Sequence, residues 1–406
     1  MVFELSSLPS GTRDLLRDEI QAGLGRPTPI LQSLTMVQVP SSSLTVQQTI
    51  SSAPNPFSGH APRLRTIDLQ KSDFNFDSSA FCHLTWLSIV DPIRRSTVDV
   101  FLRAVREMSE LRYLKLQNVF GRGTSIQFDG RVDLPHLVDL IIHEFGGSVQ
   151  EDFTFLEHLT IPPATHLTLF SHIRSFNEAA FPRFTYIYAR ARRSFLDIPI
   201  STLHFKWLGD TFHLKVWIYS PRTGSLIQTL CLGFIGLRRT PARSCLWANE
   251  LSYWPLAELR AFETNCDMGF ESWKHTFGAL QGLRTIHVEG NYAGYGFLQY
   301  LVHNHEHDCP LPDEIELRDP DGDPASDLRS WSKVAFPNLT DLRLMGISFD
   351  TTVDVRRLLN SLCARQDQGF GLDELTIFDC TAVGFENMVE SLDTIVPAIT
   401  WDGWQR

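Results

Sequence analysis

The chain has 406 residues, of which 43% are hydrophobic and 20% charged, with 36 Lys+Arg against 47 Asp+Glu and a net charge of −11. This is ordinary globular composition with length enough for a large core, and its acidic balance argues against a general nucleic-acid binder. No run of about 18 apolar residues occurs, so no membrane span is expected.

The N-terminus, MVFELSSLPSGTRDLLRDEI, lacks the unbroken apolar core of a signal peptide. Residues 11–24 read as a helix, with Leu15, Leu16, Ile20 and Leu24 at roughly helical spacing and Pro27 beyond its end. Residues 1–30 are taken as a helical cap. Strands follow in ILQSLTM, PRLRTIDL and CHLTWLSI, then a helix in TVDVFLRAVREMSE with Val98, Phe101, Leu102, Val105 and Met108 on one face. LRYLKL and HLVDLII are the next strands. Residues 153–161 read as a short helix before Pro162 and Pro163, and ATHLTLF as a further strand.

The stretch from about 170 to 258 is irregular. FPRFTYIYA is a weak strand, STLHF and LIQTLCL better ones, and FHLKVWIY alternates at period two ahead of the turn SPRTG, as a hairpin or inserted strand would. Regularity returns with AELRAFET, the helix-like SWKHTFGALQ, and the strands GLRTIHV, DEIEL, PNLTDLRL and GLDELTI. VDVRRLLNSLCARQ is an amphipathic helix, FENMVESLDTI a last helix, and ITWDGW a strand-like C-terminal cap.

One signature recurs through these strands. Its clearest copy is Leu372, Leu375, Ile377 and Cys380 in GLDELTIFDC, which reads L-x-x-L-x-L-x-x-C, the strand and turn of a leucine-rich repeat. About ten copies, at intervals drifting around 20–33 residues, predict one α/β solenoid over residues 31–406. A parallel sheet would line its concave face and irregular helices its convex face.

HAPRLRTIDL, VDLPHLVDLII, FLEHLTIPPATHLTL and FPNLTDLRL carry a resemblance to the leucine-rich-repeat region of the F-box-type proteins of mushroom-forming fungi. It spans roughly residues 25–406. The resemblance implies a surface that captures a protein partner, as the substrate-recognition half of a ubiquitin ligase does. The family's F-box module of about 40–50 residues has no counterpart: Leu8-Pro9 is similar to its opening, but the first repeat-like strand already begins at Leu31.

Few stretches carry chemistry. HNHEHDC places His303, His305, His307 and Cys309 in alternation, which in a strand would put metal-ligand types on one side; a polar loop is the favoured reading. DPDGDPASD has Asp at alternate positions, but Gly322 falls at loop position 4 and Ser330 stands at position 12, so a solvated acidic turn is expected rather than a calcium loop. The seven cysteines are scattered without a C-x-x-C pair, as reduced thiols of the cytosol or nucleus would be. No nucleophile elbow, phosphate loop, zinc-protease motif or dinucleotide fingerprint occurs. The expectation is therefore a non-enzymatic interaction scaffold without cofactor or metal, cytoplasmic or nuclear, binding a protein partner and neither nucleic acid nor membrane. The competing readings are a metal-dependent enzyme using the His303–Cys309 cluster and a self-associating structural protein.

If the leucines point inward, strand alternation turns the residues between them outward. The predicted binding face then carries Trp86, Tyr113, Lys115, Asp139, His143, His204, His287, Glu289, Asp341 and Arg343.

Overall fold

The computed structural model describes residues 2–4, 19, 22–37, 56–72, 78–121, 128–144, 149–172, 199–220, 223–235, 240–278, 280–306, 334–349, 352–382 and 391–402. The chain is mixed α/β and divides into two compact units. Unit 1 comprises Met1–Ile198 and Gln228–Leu237, and unit 2 comprises Pro199–Ile227 and Arg238–Arg406.

Unit 1 is built on short parallel strands: β1 (Val2–Glu4), β2 (Ser33–Val37), β3 (Thr66–Gln70), β4 (Trp86–Val90) and β5 (Tyr113–Gln117). After β6 (Val132–Asp133) come β7 (Asp139–Glu144), β8 (Leu159–Thr160) and β9 (His166–His172). The main ladder runs β1-β2-β3-β4-β5-β7-β9, every pair parallel, and Leu230–Ile235 extends it beside β9. The short pair β6–β8 forms its own ladder.

Each strand begins two residues after the first leucine of its signature. That leucine sits instead in a tight turn: Leu64, Leu84, Leu111 and Leu137 donate their N–H groups to Ala61, Phe81, Met108 and Leu134 at 3.0–3.2 Å. The turn residues are apolar and buried, so the repeat extends three residues further upstream than the leucine pattern suggests. The two later leucine-type positions alternate inward, as Leu87/Ile89, Leu114/Leu116 and Leu140/Ile142 do, all buried. Over them lie α1 (Val98–Arg106) and α2 (Val149–Glu157). Phe101, Phe120 and Phe155 meet there at 5.2–5.8 Å between ring centres. The expected helix over 153–161 thus lies earlier. It stops at Glu157 because Leu159–Thr160 pair with Val132–Asp133 as strand.

Unit 2 opens with an antiparallel pair, β10 (Ile200–Leu208) and β11 (Thr211–Ser220), joined through Gly209 at φ 62°. FHLKVWIY, expected as a hairpin or inserted strand ahead of SPRTG, forms β11, and this pair turns at its other end, before Thr211. β12 is Ser225–Ile235. From β10 the ladder is parallel again through β13 (Ala261–Thr264), β14 (Thr285–Glu289) and β15 (Asp341–Met345). After the short β16 (Ser348–Phe349), β17 (Glu374–Phe378) pairs with β15. β18 (Thr381–Ala382) pairs with β16, and β19 (Ala398–Trp401) closes the ladder beside β17.

The described residues of this unit hold the helices α3 (Pro241–Leu251), α4 (Gly269–Ser272, running into a wide turn over Trp273–Phe277), α5 (Asn291–Glu306) and α6 (Thr352–Asp367). Most of its large aromatics are core, including Trp247, Trp273, Phe277, Phe297 and Phe336. Among the described residues no helix is long and apolar enough to cross a membrane. FPRFTYIYA, DEIEL and DPDGDPASD, with most of 11–24 and of FENMVESLDTI, lie outside the described residues.

Candidate functional site

The alternation that buries the leucines leaves one side of each sheet polar. In unit 1 the in-register parallel pairing aligns side chains into rows. Thr66, Trp86, Tyr113, Asp139 and His166 occupy successive paired positions across β3, β4, β5, β7 and β9. Two residues further along lie Asp68, Ser88, Lys115, Ile141 and Thr168, and beyond them Gln70, Val90, Gln117, His143 and Phe170.

Trp86 and Tyr113 are stacked, with ring centroids 3.5 Å apart and planes 8° from parallel. Trp86 is 41% exposed, although it is a large apolar residue in mid-sheet. Asp139 continues the row, 3.3 Å from Nδ1 of His166, whose Nε2 lies 2.9 Å from the side-chain amide of Gln228. Burial pushes the Tyr113 phenol above its ordinary range, and the carboxylates of Asp139 and Asp68 push it further. Burial and the Lys115 ammonium push His143 down. Oδ1 of Asp68 is shielded from solvent and accepts no hydrogen bond. Ser88, on the same side, is nonetheless buried.

In unit 2 the polar face is organised around Glu263 on β13. Its carboxylate takes hydrogen bonds from Nδ1 of His204 (2.9 Å), Nδ1 of His287 (2.8 Å) and Nζ of Lys206 (2.6 Å). Lys206 also reaches Glu289 at 2.9 Å. The bonds from His204 and His287 hold the Glu263 carboxyl far below the usual carboxylate range, against the opposing effect of burial. Burial alone would lower the Lys206 ammonium, but its bonds to Glu263 and Glu289 win and raise it. The His204 ring also leans on Trp217, 4.3 Å between centroids. Arg343, paired with His287 across β14–β15, is exposed, and Asp341 accepts a 2.6 Å bond from the Thr340 hydroxyl.

The predicted residues therefore form two sets. Trp86, Tyr113, Lys115, Asp139 and His143 share the unit 1 face. His204, His287 and Glu289 join one network in unit 2, with Asp341 and Arg343 on neighbouring positions of that face. Glu263 and Lys206 prove to be the hub of that network. Asp68 and His166 were not singled out, yet the same leucine register places both outward. Gln228 reaches His166 from LIQTLCL, where strict alternation from the inward Leu230 and Leu232 does not turn it outward.

No group of three or more His, Cys, Asp or Glu among the described residues is arranged to hold a metal ion. His303 and His305 lie in helical backbone, since α5 runs to Glu306. His307 and Cys309 lie outside the described residues. No protein-family model matches the chain, and no curated protein matches it.

Proposed function

We propose that the chain is a non-enzymatic protein-capture scaffold of leucine-rich-repeat type, a curved solenoid whose parallel strands line the working face. The recurring strand, the tight turn before it and the parallel ladder in each unit support the repeat reading. The observation that carries the function is the exposed Trp86–Tyr113 stack, rigid aromatic surface held open to solvent with charged residues around it. Large rigid aromatics ringed by polar groups are the usual energetic anchors of protein interfaces. By its resemblance the scaffold acts like the substrate-recognition half of an F-box protein, with ubiquitin-ligase components among its candidate partners, in the cytoplasm or nucleus and without nucleic acid or membrane.

Affinity purification from native cell extract tests this. Wild type and Arg356→Ala, altered on the exposed side of α6, are expected to retain the same partner, scored also for ligase adaptor subunits. Trp86→Ala and Tyr113→Ala are expected to lose it. Folded Trp86 and Tyr113 variants that keep every partner, with Arg356→Ala impaired instead, would overturn the assignment.

A further inference from the structure

We propose that the Trp86–Tyr113 stack receives a cationic side chain, an arginine by preference, from a basic segment of the partner protein. This rests on the capture reading above and names the chemistry of the partner.

One face of the Trp86 indole is covered by Tyr113. The other is turned away from Tyr113, toward β3, where the paired residue is the small Thr66. Thr66 is too short to cover the whole ring, and Trp86 stays 41% exposed; an indole is the aromatic face that attracts cations most strongly. Asp68 follows Thr66 by two positions on β3, so strand alternation brings its carboxylate to the same side, diagonal to Trp86. Its Oδ1 is enclosed and has no hydrogen-bond donor. A shielded acceptor without a donor is destabilising until one reaches it. The terminal torsion of an aspartate is soft, so the carboxylate can turn to meet an arriving N–H.

Asp139 adds a second carboxylate beyond Tyr113. The two carboxylates flank the stack, Asp68 from β3 and Asp139 from β7, and both push the Tyr113 phenol up behind the larger effect of burial. Lys115 stands in the same row as Asp68, across Ser88, and its ammonium pushes His143 down in the row beyond. A guanidinium fits this arrangement better than an ammonium, because it is planar, stacks on an indole and donates in a fork to a carboxylate. The overall charge of −11 would draw a basic segment in and repel an acidic one.

The test uses the full chain and fluorescein-labelled hexa-arginine, hexa-lysine and hexa-glutamate peptides, followed by anisotropy at low and at physiological salt. The expected order is arginine, then lysine, with no binding of glutamate. Trp86→Ala should weaken the arginine peptide about tenfold, and Asp68→Asn about five- to tenfold. Asp367→Asn, at the exposed end of α6, should leave binding unchanged. Thermal melts check folding, and Trp86→Phe, which keeps an aromatic ring, should show an intermediate loss if Trp86→Ala fails to fold. Absence of arginine-peptide binding, tighter binding of hexa-glutamate, or affinity indifferent to both Trp86 and Asp68 would overturn the proposal. If Trp86→Ala still loses the native partner while hexa-arginine binding ignores it, the capture face stands and only its cationic ligand falls.

Discussion

The side-chain amide of Asn118 donates to Oδ1 of Asp91 at 2.5 Å, and both residues hold left-handed backbone, at φ 52° and 50°. Each stands directly after a strand, β5 and β4. Lys71 after β3, Gly290 after β14, Gly346 after β15 and Asp379 after β17 have the same sign of φ. At this point the backbone N–H reaches sideways to a carbonyl at the end of the next strand: Lys71 to Val90 (2.8 Å), Asp91 to Gln117 (2.9 Å), Asn118 to His143 (2.8 Å), Gly290 to Met345 (2.7 Å). The left-handed residue ends the strand and ties it to its neighbour in one step.

This position is strained for any residue with a Cβ, and most for one without a short polar side chain. Lys71→Gly should therefore raise stability by about 0.5–1 kcal/mol. Gly290→Ala should lower it by about 1 kcal/mol. A Cβ at Gly290 would meet no atom within 4 Å, so the loss isolates backbone strain. Urea melts of the two variants check the opposite signs.

The Glu263 hub makes unit 2 sensitive to acid. A carboxyl whose folded pKa is depressed contributes stability that is present above its unfolded value, about 4.3, and disappears as pH falls toward the folded one. Wild type should lose stability more steeply below about pH 4 than Glu263→Gln does, and the two melting curves should converge there. At neutral pH the substitution should cost about 1–3 kcal/mol, less than a fully buried pair because the network is partly solvated. The raised Lys206 has the opposite sense: its contribution is complete below about pH 10.4 and lost as pH rises past that value.

Arg365 on α6 is fully buried. Its guanidinium donates to the carbonyls of Ala335, Phe336 (3.0 Å) and Leu339 (3.5 Å), fastening the turn that leads into β15. Burial pushes it down to about 10, which leaves it charged at neutral pH. Arg365→Met should cost about 3–5 kcal/mol, because it strands three carbonyls rather than because it removes a charge. Arg365→Lys should lose about 1–3 kcal/mol, since one ammonium cannot span acceptors that the fork reaches together. Denaturant midpoints rank the three proteins.

The leucine spacing made the parallel strands legible, and with them the outward position of Trp86, because inward and outward residues alternate strictly and one buried row fixes the other. It could not reveal the left-handed residue after β3, β4, β5, β14, β15 and β17, which is Lys, Asp, Asn or Gly and so leaves no single letter to read. Arg365 was also hidden: within VDVRRLLNSLCARQ it looks like one more solvated charge, and only the carbonyls of Ala335, Phe336 and Leu339, from distant sequence, explain its burial. Glu263 was legible as an outward residue of AELRAFET, but not as a hub. Its partners His204, Lys206 and His287 come from two other strands, and their meeting depends on the pairing order of β10, β13 and β14.

Leu342 and Leu375 test the inward row directly. They are paired positions on β15 and β17, both fully buried. Truncating either to Ala should cost about 2–5 kcal/mol, the lost transfer energy plus that of the cavity left behind. Arg343, one residue along and on the opposite side, is exposed, so Arg343→Ala should stay within about 0.5 kcal/mol of wild type. The double variant Leu342→Ala/Leu375→Ala should depart from the sum of the single losses by at least about 0.5 kcal/mol, because the two cavities would adjoin and relax together. Equilibrium urea unfolding of the four proteins separates these outcomes. A loss below about 0.5 kcal/mol at either leucine would mean that the row does not carry the core, and the outward assignment of its neighbours would fall with it.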